Sequence, residues 1–154
     1  MSEDRRKVEA IYGGKLRVRA CGLLKRSDGA LLCALHRGVG PAGRLWVPPG
    51  GGVEFGETLA QTLAREFAEE AGLAITVGPL VAVFEFVESP LHAIELFYEV
   101  AAQGGSPTLG QDPEWPADEP PLLEALAWVT PAQAAAEPAM YHGVVRQVLL
   151  GQPA

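Results

Sequence analysis

The chain has 154 residues, 48% hydrophobic and 20% charged, with a formal net charge of −7, which suits one domain with a substantial core over 1–154. The acidic balance argues against a nucleic-acid polymer as the main ligand, because nonspecific phosphate binding draws on excess Lys and Arg, but it leaves room for a small nucleotide met by local cations. No run of about 18 apolar residues offers a membrane span, the start Met-Ser-Glu-Asp-Arg-Arg-Lys lacks the apolar stretch of a secretory signal, and Cys21 and Cys33 are too few for a disulfide framework; a cytoplasmic protein is expected.

In chain order, residues 1–15 form a mixed N-terminal extension. Residues 16–25 read as a strand, Ser27-Asp28-Gly29 as a turn, and 30–36 as the returning strand of a hairpin that buries both thiols in reduced form. A glycine-rich loop over 37–44 leads to Leu45-Trp46-Val47 and to Pro48-Pro49-Gly50-Gly51-Gly52, where fixed φ values alternate with positions open to close backbone approach. Trp46 beside this loop reads as a core residue. The basic residues Arg5, Arg6, Lys7, Lys15, Arg17, Arg19, Lys25, Arg26, Arg37 and Arg44 precede 51–73, so some are available to a substrate pocket.

A helix follows the glycine loop. Thr58 with Gln61 makes a capping box, and Gly72 sits where a helix stops. At about 100° per residue, Leu59, Ala60, Leu63, Ala64, Phe67 and Ala71 form one apolar face, bordered on one edge by Glu66, Glu69 and Glu70. Like charges at i,i+4, such as Glu66 and Glu70, cost roughly 0.2–0.5 kcal/mol per pair when nothing neutralises them. A hard divalent cation would do so, since Mg²⁺ and Mn²⁺ favour carboxylate and carbonyl oxygens; the alternative is a solvated acidic edge.

Beyond the helix, 75–87, interrupted at Gly78-Pro79, and 92–101 read as two long strands. The second alternates so that Glu95 and Glu99 share one face and Ile94, Leu96, Tyr98 and Val100 the other. Residues 103–121 form an acidic, proline-rich loop, a length that in a compact domain points to function. A strand over 124–129, a short helix after Thr130-Pro131 and a final helix over about 139–150 complete the chain. This succession implies an α/β (α+β) fold, a mixed β-sheet covered by helices on both faces.

The residues Gly51, Glu57, Arg65, Glu66, Phe67, Glu69, Glu70, Gly72 and Leu73 stand at fixed spacing: Gly, five residues, Glu, seven residues, Arg-Glu, an apolar residue, any residue, Glu-Glu, any residue, Gly, an aliphatic residue. The stretch 51–73 resembles the Nudix box without a missing position. The resemblance implies a loop-helix-loop on an α/β/α sandwich, with a divalent ion, Mg²⁺ or Mn²⁺ in its place, held by Glu66, Glu69, Glu70 and the carbonyl of Gly50. It implies that Arg65 and Glu57 hold the carboxylates through charge-assisted hydrogen bonds. The general base is Glu66 or a Glu of a later segment, Glu114, Glu119 or Glu124, with Glu119 placed ahead because it lies in the loop. Arg37 stands where the family carries a basic residue facing substrate phosphates, and is otherwise a surface residue.

The implied reaction is hydrolysis of a nucleoside diphosphate linked to another moiety, with ADP-ribose or a nucleotide sugar ahead of an oxidised nucleoside triphosphate. Pro90 favours that order slightly, or simply makes a turn after Ser89. A reading of another class is a ligand-sensing module that keeps the fold and cleaves nothing. The family also forms dimers, so a homodimer is a possible assembly. His36, His92 and His142 lack metal-ligand spacing and read as structural, and Trp115 as a loop anchor.

Overall fold

The N-terminal extension is a helix, α1 (Glu3–Tyr12). The Ser2 side chain accepts from the Arg5 N–H at 3.1 Å, Glu3 and Asp4 occupy the first turn, and Val8 and Tyr12 are buried. Both caps and first-turn acids favour a helix N-terminus, but the charged residues around Val8, Ile11 and Tyr12 make its apolar stripe short. The computed structural model describes residues 1–111, 113 and 115–152.

Next come β1 (Leu16–Leu24), β2 (Leu31–Arg37), β3 (Arg44–Val47), β4 (Gly50–Gly52), α2 (Leu59–Ala71), β5 (Ile75–Glu88), β6 (Leu91–Ala102), β7 (Leu123–Val129), α3 (Pro131–Ala136), a 3-10 turn (Pro138–Met140) and α4 (Gly143–Leu150). One sheet has the order β4-β1-β6-β5, mixed because β1 and β6 run parallel; the other has the order β3-β2-β7 and is antiparallel. Side chains alternate along β1, so Ala20 and Leu24 meet Leu63, Phe67 and Ala71 of α2, while Cys21 and Leu23 meet Ala134 of α3 and Val144 and Val145 of α4. The sheets therefore lie between helices on both faces. Full burial of a side chain such as Leu63 or Phe67 contributes about 1.5–3 kcal/mol.

Four sequence expectations are corrected. Residues 16–25 and 30–36 form strands but not a paired hairpin. A single bridge, Lys25 to Leu31, joins them, because β1 is already flanked by β4 and β6, and β2 by β3 and β7. The final helix does not start near 139: His142 donates its N–H to the Trp46 carbonyl at 2.9 Å and Tyr141 bridges Trp46, which keeps these two residues extended and delays α4 to Gly143. On α2, Ala60 and Ala64 are exposed, and the buried face instead includes Thr62, Glu66 and Glu70. On β6 the inward face is Ala93, Glu95 and Phe97, whereas Ile94, Leu96 and Tyr98 are half-buried; Glu95 tolerates burial because charged and polar partners await it.

Both cysteines are buried thiols. Trp115 is buried and donates its indole N–H to the Pro120 carbonyl at 2.8 Å, anchoring the 103–121 loop. Pro90 occupies the turn between β5 and β6, and its carbonyl accepts from the Gly14 N–H at 2.9 Å. Among the described residues no helix is long and apolar enough to cross a membrane.

Candidate functional site

The glycine loop is shaped by proximity. A Cβ on Gly50 would lie 2.3 Å from the Ala20 carbonyl oxygen, and one on Gly51 would lie 2.3 Å from Glu66 Oε1. Only glycine lets β4 press against β1 on one side and against α2 carboxylates on the other. The Thr58–Gln61 capping box forms with both halves, at 3.1 and 2.9 Å, and Gly72 ends α2 in the left-handed region at φ 63°. These caps set the rotation of α2 that turns Glu66 and Glu70 inward, 9% and 4% exposed.

Arg65 ties loop to helix. Its Nε and Nη2 donate to the two oxygens of Glu57 at 2.8 and 2.9 Å, Nη2 also donates to the Gly52 carbonyl at 3.0 Å, and Nη1 reaches Glu66 Oε1 at 2.9 Å and Glu69 Oε2 at 3.3 Å. Hydrogen bonding to Glu57 comes first among the influences that raise the Arg65 pKa, against some loss from burial. The same contact holds Glu57 well below the usual carboxylate range, at about 2. Gly50 N–H donates to Glu70 Oε2 at 3.3 Å.

Glu57, Glu66 and Glu69 thus share one guanidinium, and Glu70 joins the cluster through the Gly50 N–H. The donor set is hard oxygen, the chemistry that suits a Mg²⁺-class ion. In this arrangement Arg65 spaces the carboxylates, and among the described residues no three His, Cys, Asp or Glu side chains converge tightly enough to enclose an ion.

Glu66, Glu70 and Gly50–Gly52 line a cavity of about 120 Å³. Its walls include apolar Val8, Leu45, Phe86 and Leu91 together with Arg19, His36, Glu95 and His142. Arg19 Nη1 donates to Glu95 Oε2 at 2.6 Å, and His142 Nε2 is 2.8 Å from Glu95 Oε1. His142 Nδ1 accepts from the Val144 N–H at 3.0 Å, which places the imidazole proton on Nε2. Burial opposes ionisation of Glu95, but the His142 hydrogen bond and the Arg19 charge outweigh it and bring its pKa down to about 2. His36 Nε2 is a buried nitrogen without a hydrogen-bond partner among the described residues, and burial, reinforced by Arg19, lowers its pKa to about 3. Burial also pushes the Cys21 thiol up to about 12.

The structure brings together Gly50, Glu57, Arg65, Glu66, Glu69 and Glu70. Arg37 lines the cavity but is engaged: Nη2 and Nε donate to Asp4 at 2.7 and 3.2 Å, Nη1 donates to the Pro121 carbonyl at 3.2 Å, and Glu124 lies 3.3 Å away. Glu119 is ion-paired with Lys7 of α1 and does not line the cavity. Glu124 sits between Arg37 and Arg44, and Glu114 lies outside the described residues. Sequence reasoning named Arg19 only within a group of ten basic residues and did not place Glu95 or His142 in the site; the available signal was a glutamate in register with apolar inward positions of β6.

The NUDIX domain family model matches residues 15–149. The human m7GpppN-mRNA hydrolase NUDT17 is 32% identical over 143 residues, 84% of this chain and 43% of its own length, so the chain spans less than half of that relative. Among solved structures, a NUDIX hydrolase from Nitrosomonas europaea superposes with a TM-score of 0.68 at 20% identity, covering 87% of this chain and 86% of its own. A MutT NUDIX hydrolase from Burkholderia pseudomallei gives 0.59 at 26% identity, covering 81% and 98%. With its box folded as a glycine loop and carboxylate helix, and 15–149 matched from β1 to α4, the chain belongs to the NUDIX family.

Proposed function

We propose that this chain is a divalent-metal-dependent pyrophosphohydrolase that cleaves the diphosphate of a nucleoside diphosphate derivative. The observation that carries this reading is the burial of Glu66 and Glu70 against Gly51 and Gly50 in the wall of a cavity, with Arg65 bridging Glu57, Glu66 and Glu69. Glu66, Glu69, Glu70 and the Gly50 carbonyl would hold Mg²⁺, with Mn²⁺ as substitute. A bound ion of this kind supplies charge neutralisation of phosphate oxygens and a more acidic water.

The chain's own residues do the rest. Arg65 and Glu57 orient the carboxylates, and a small change in their geometry propagates directly to the reacting centre. Of the carboxylates considered as general base, Glu66 lines the cavity while Glu119 faces Lys7, so Glu66 is the better placed acceptor of the water proton. The apolar walls around Phe86 and Leu91 exclude bulk water and strengthen every polar contact inside.

ADP-ribose and nucleotide sugars remain ahead of oxidised nucleoside triphosphates as substrates. A second reading, a capped RNA end, draws on the 32% identity to the human m7GpppN-mRNA hydrolase, and the negative net charge weighs against contacts to a long RNA body. A panel of ADP-ribose, nucleotide sugars, oxidised nucleoside triphosphates and m7G-capped RNA, assayed with Mg²⁺ or Mn²⁺ at alkaline pH, separates these. Glu69→Gln or Glu70→Gln should abolish release of phosphorylated product. Release from no member of the panel by the wild type would favour the ligand-sensing reading.

A further inference from the structure

Three arginines line the cavity, and their surroundings differ: Arg17 lies over the Tyr12 ring, 4.1 Å from its centroid. Arg37 spends its guanidinium on Asp4, the Pro121 carbonyl and Glu124. Arg19 stands on β1 with Gly52 of the box loop as its register partner on one side and Glu95 on the other. A guanidinium carries five N–H donors. Here Nη1 goes to Glu95 Oε2, and among the described residues no other acceptor takes the remaining donors, although the side chain is only 16% exposed. The Glu95 carboxylate is itself fixed by His142, which is fixed by the first turn of α4 through Val144.

We propose that Arg19 is a phosphate-binding residue of the substrate site, with Glu95 and His142 as positioning residues that hold its guanidinium toward the bound diphosphate. This rests on the pyrophosphohydrolase reading. A tether is needed because Glu70 and Glu66 also act electrostatically on Arg19. Untethered, the guanidinium would be drawn onto those carboxylates and cancel the charge that a cation requires. Held by Glu95, it stays in the wall of the cavity that the box loop shares. A planar fork matches two phosphate oxygens, and its pairing strengthens where water is scarce. Glu95 meanwhile offsets the cost of burying the cation.

The test is calorimetric titration of ADP and of adenosine, with Mg²⁺, into wild type, Arg19→Gln and Arg19→Lys, with KM and kcat on whichever panel substrate is cleaved. Losing a charged hydrogen-bonding pair should weaken ADP binding by about 10- to 100-fold in Arg19→Gln and leave adenosine unchanged. Arg19→Lys keeps the charge opposite Glu95, and so decides the matter should Arg19→Gln fail to fold; it should show a smaller loss, with KM raised more than kcat is lowered. His142→Gln, whose amide can still donate to Glu95, should bind ADP more tightly than His142→Ala. Equal ADP affinity in wild type and Arg19→Lys, or a wild type that binds ADP no better than adenosine, would overturn the proposal. Arg19-dependent ADP binding without hydrolysis of any panel member would overturn the enzyme reading alone.

Discussion

Replacing Gly51 with alanine isolates the position of one carboxylate. Gly51 has no left-handed φ, so the backbone accepts alanine; the added Cβ would lie 2.3 Å from Glu66 Oε1, 2.5 Å from its Cδ and 2.8 Å from Oε2. All three atoms belong to the end of one side chain, so the strain is relieved by moving that carboxylate by about 1 Å, to an ordinary contact distance. A shift of that size at a reacting centre costs on the order of 100-fold in rate. It also disrupts the 2.9 Å bond from Arg65 to Glu66, a partly exposed contact whose loss costs about 1 kcal/mol of stability. Gly50→Ala is the contrast: its Cβ meets the Ala20 carbonyl oxygen at 2.3 Å and Cys21 Cα at 2.5 Å. These are backbone atoms of β1, so the sheet must yield and the fold loses about 1–3 kcal/mol or more. Steady-state kinetics with a metal titration, alongside thermal melts of both variants, reads the two effects separately. Wild-type kcat and metal midpoint in Gly51→Ala, or equal melting losses in the two variants, would refute this account of the loop.

Arg65→Ala should raise the metal concentration for half-maximal activity by about 10- to 100-fold, with Arg65→Lys intermediate because it lacks the planar fork; a metal titration of activity checks it. The His36 pKa lies near 3 in the folded chain against an ordinary 6.5, so the unfolded chain takes up a proton that the native state refuses. Stability should therefore fall as pH drops from about 6.5 toward 3 and be insensitive to His36 above that window. Urea midpoints from pH 8 to 5 should slope less in His36→Asn than in wild type. Burial raises both the Cys21 and Cys33 pKa values, so neither thiol should react with an aromatic disulfide reagent at pH 8 until denaturant is added. Thr58→Ala should lose the cap on α2, at about 1 kcal/mol, read as a Tm lower by roughly 2–5 °C.

Features with local causes are legible in the order of residues alone. The capping box at Thr58 and Gln61, the stop at Gly72, the spacing of Glu57, Arg65, Glu66, Glu69 and Glu70, and the strand cores in 16–24, 91–102 and 123–129 all follow from periods and neighbours within a few residues. A mixed sheet between helices was legible from their succession. The α1 helix was less so, because a weak apolar stripe is stabilised by Leu91, Trp115 and Leu122, far along the chain. Which strands pair, why β1 and β2 part, and which face of α2 turns inward emerge from long-range packing. It alone joined Arg19 to Glu95, 76 residues apart, and Glu95 to His142, 47 apart. The reason is that burying a charge is unfavourable until a partner arrives, and no local pattern announces a partner delivered by another strand or by the first turn of a distant helix.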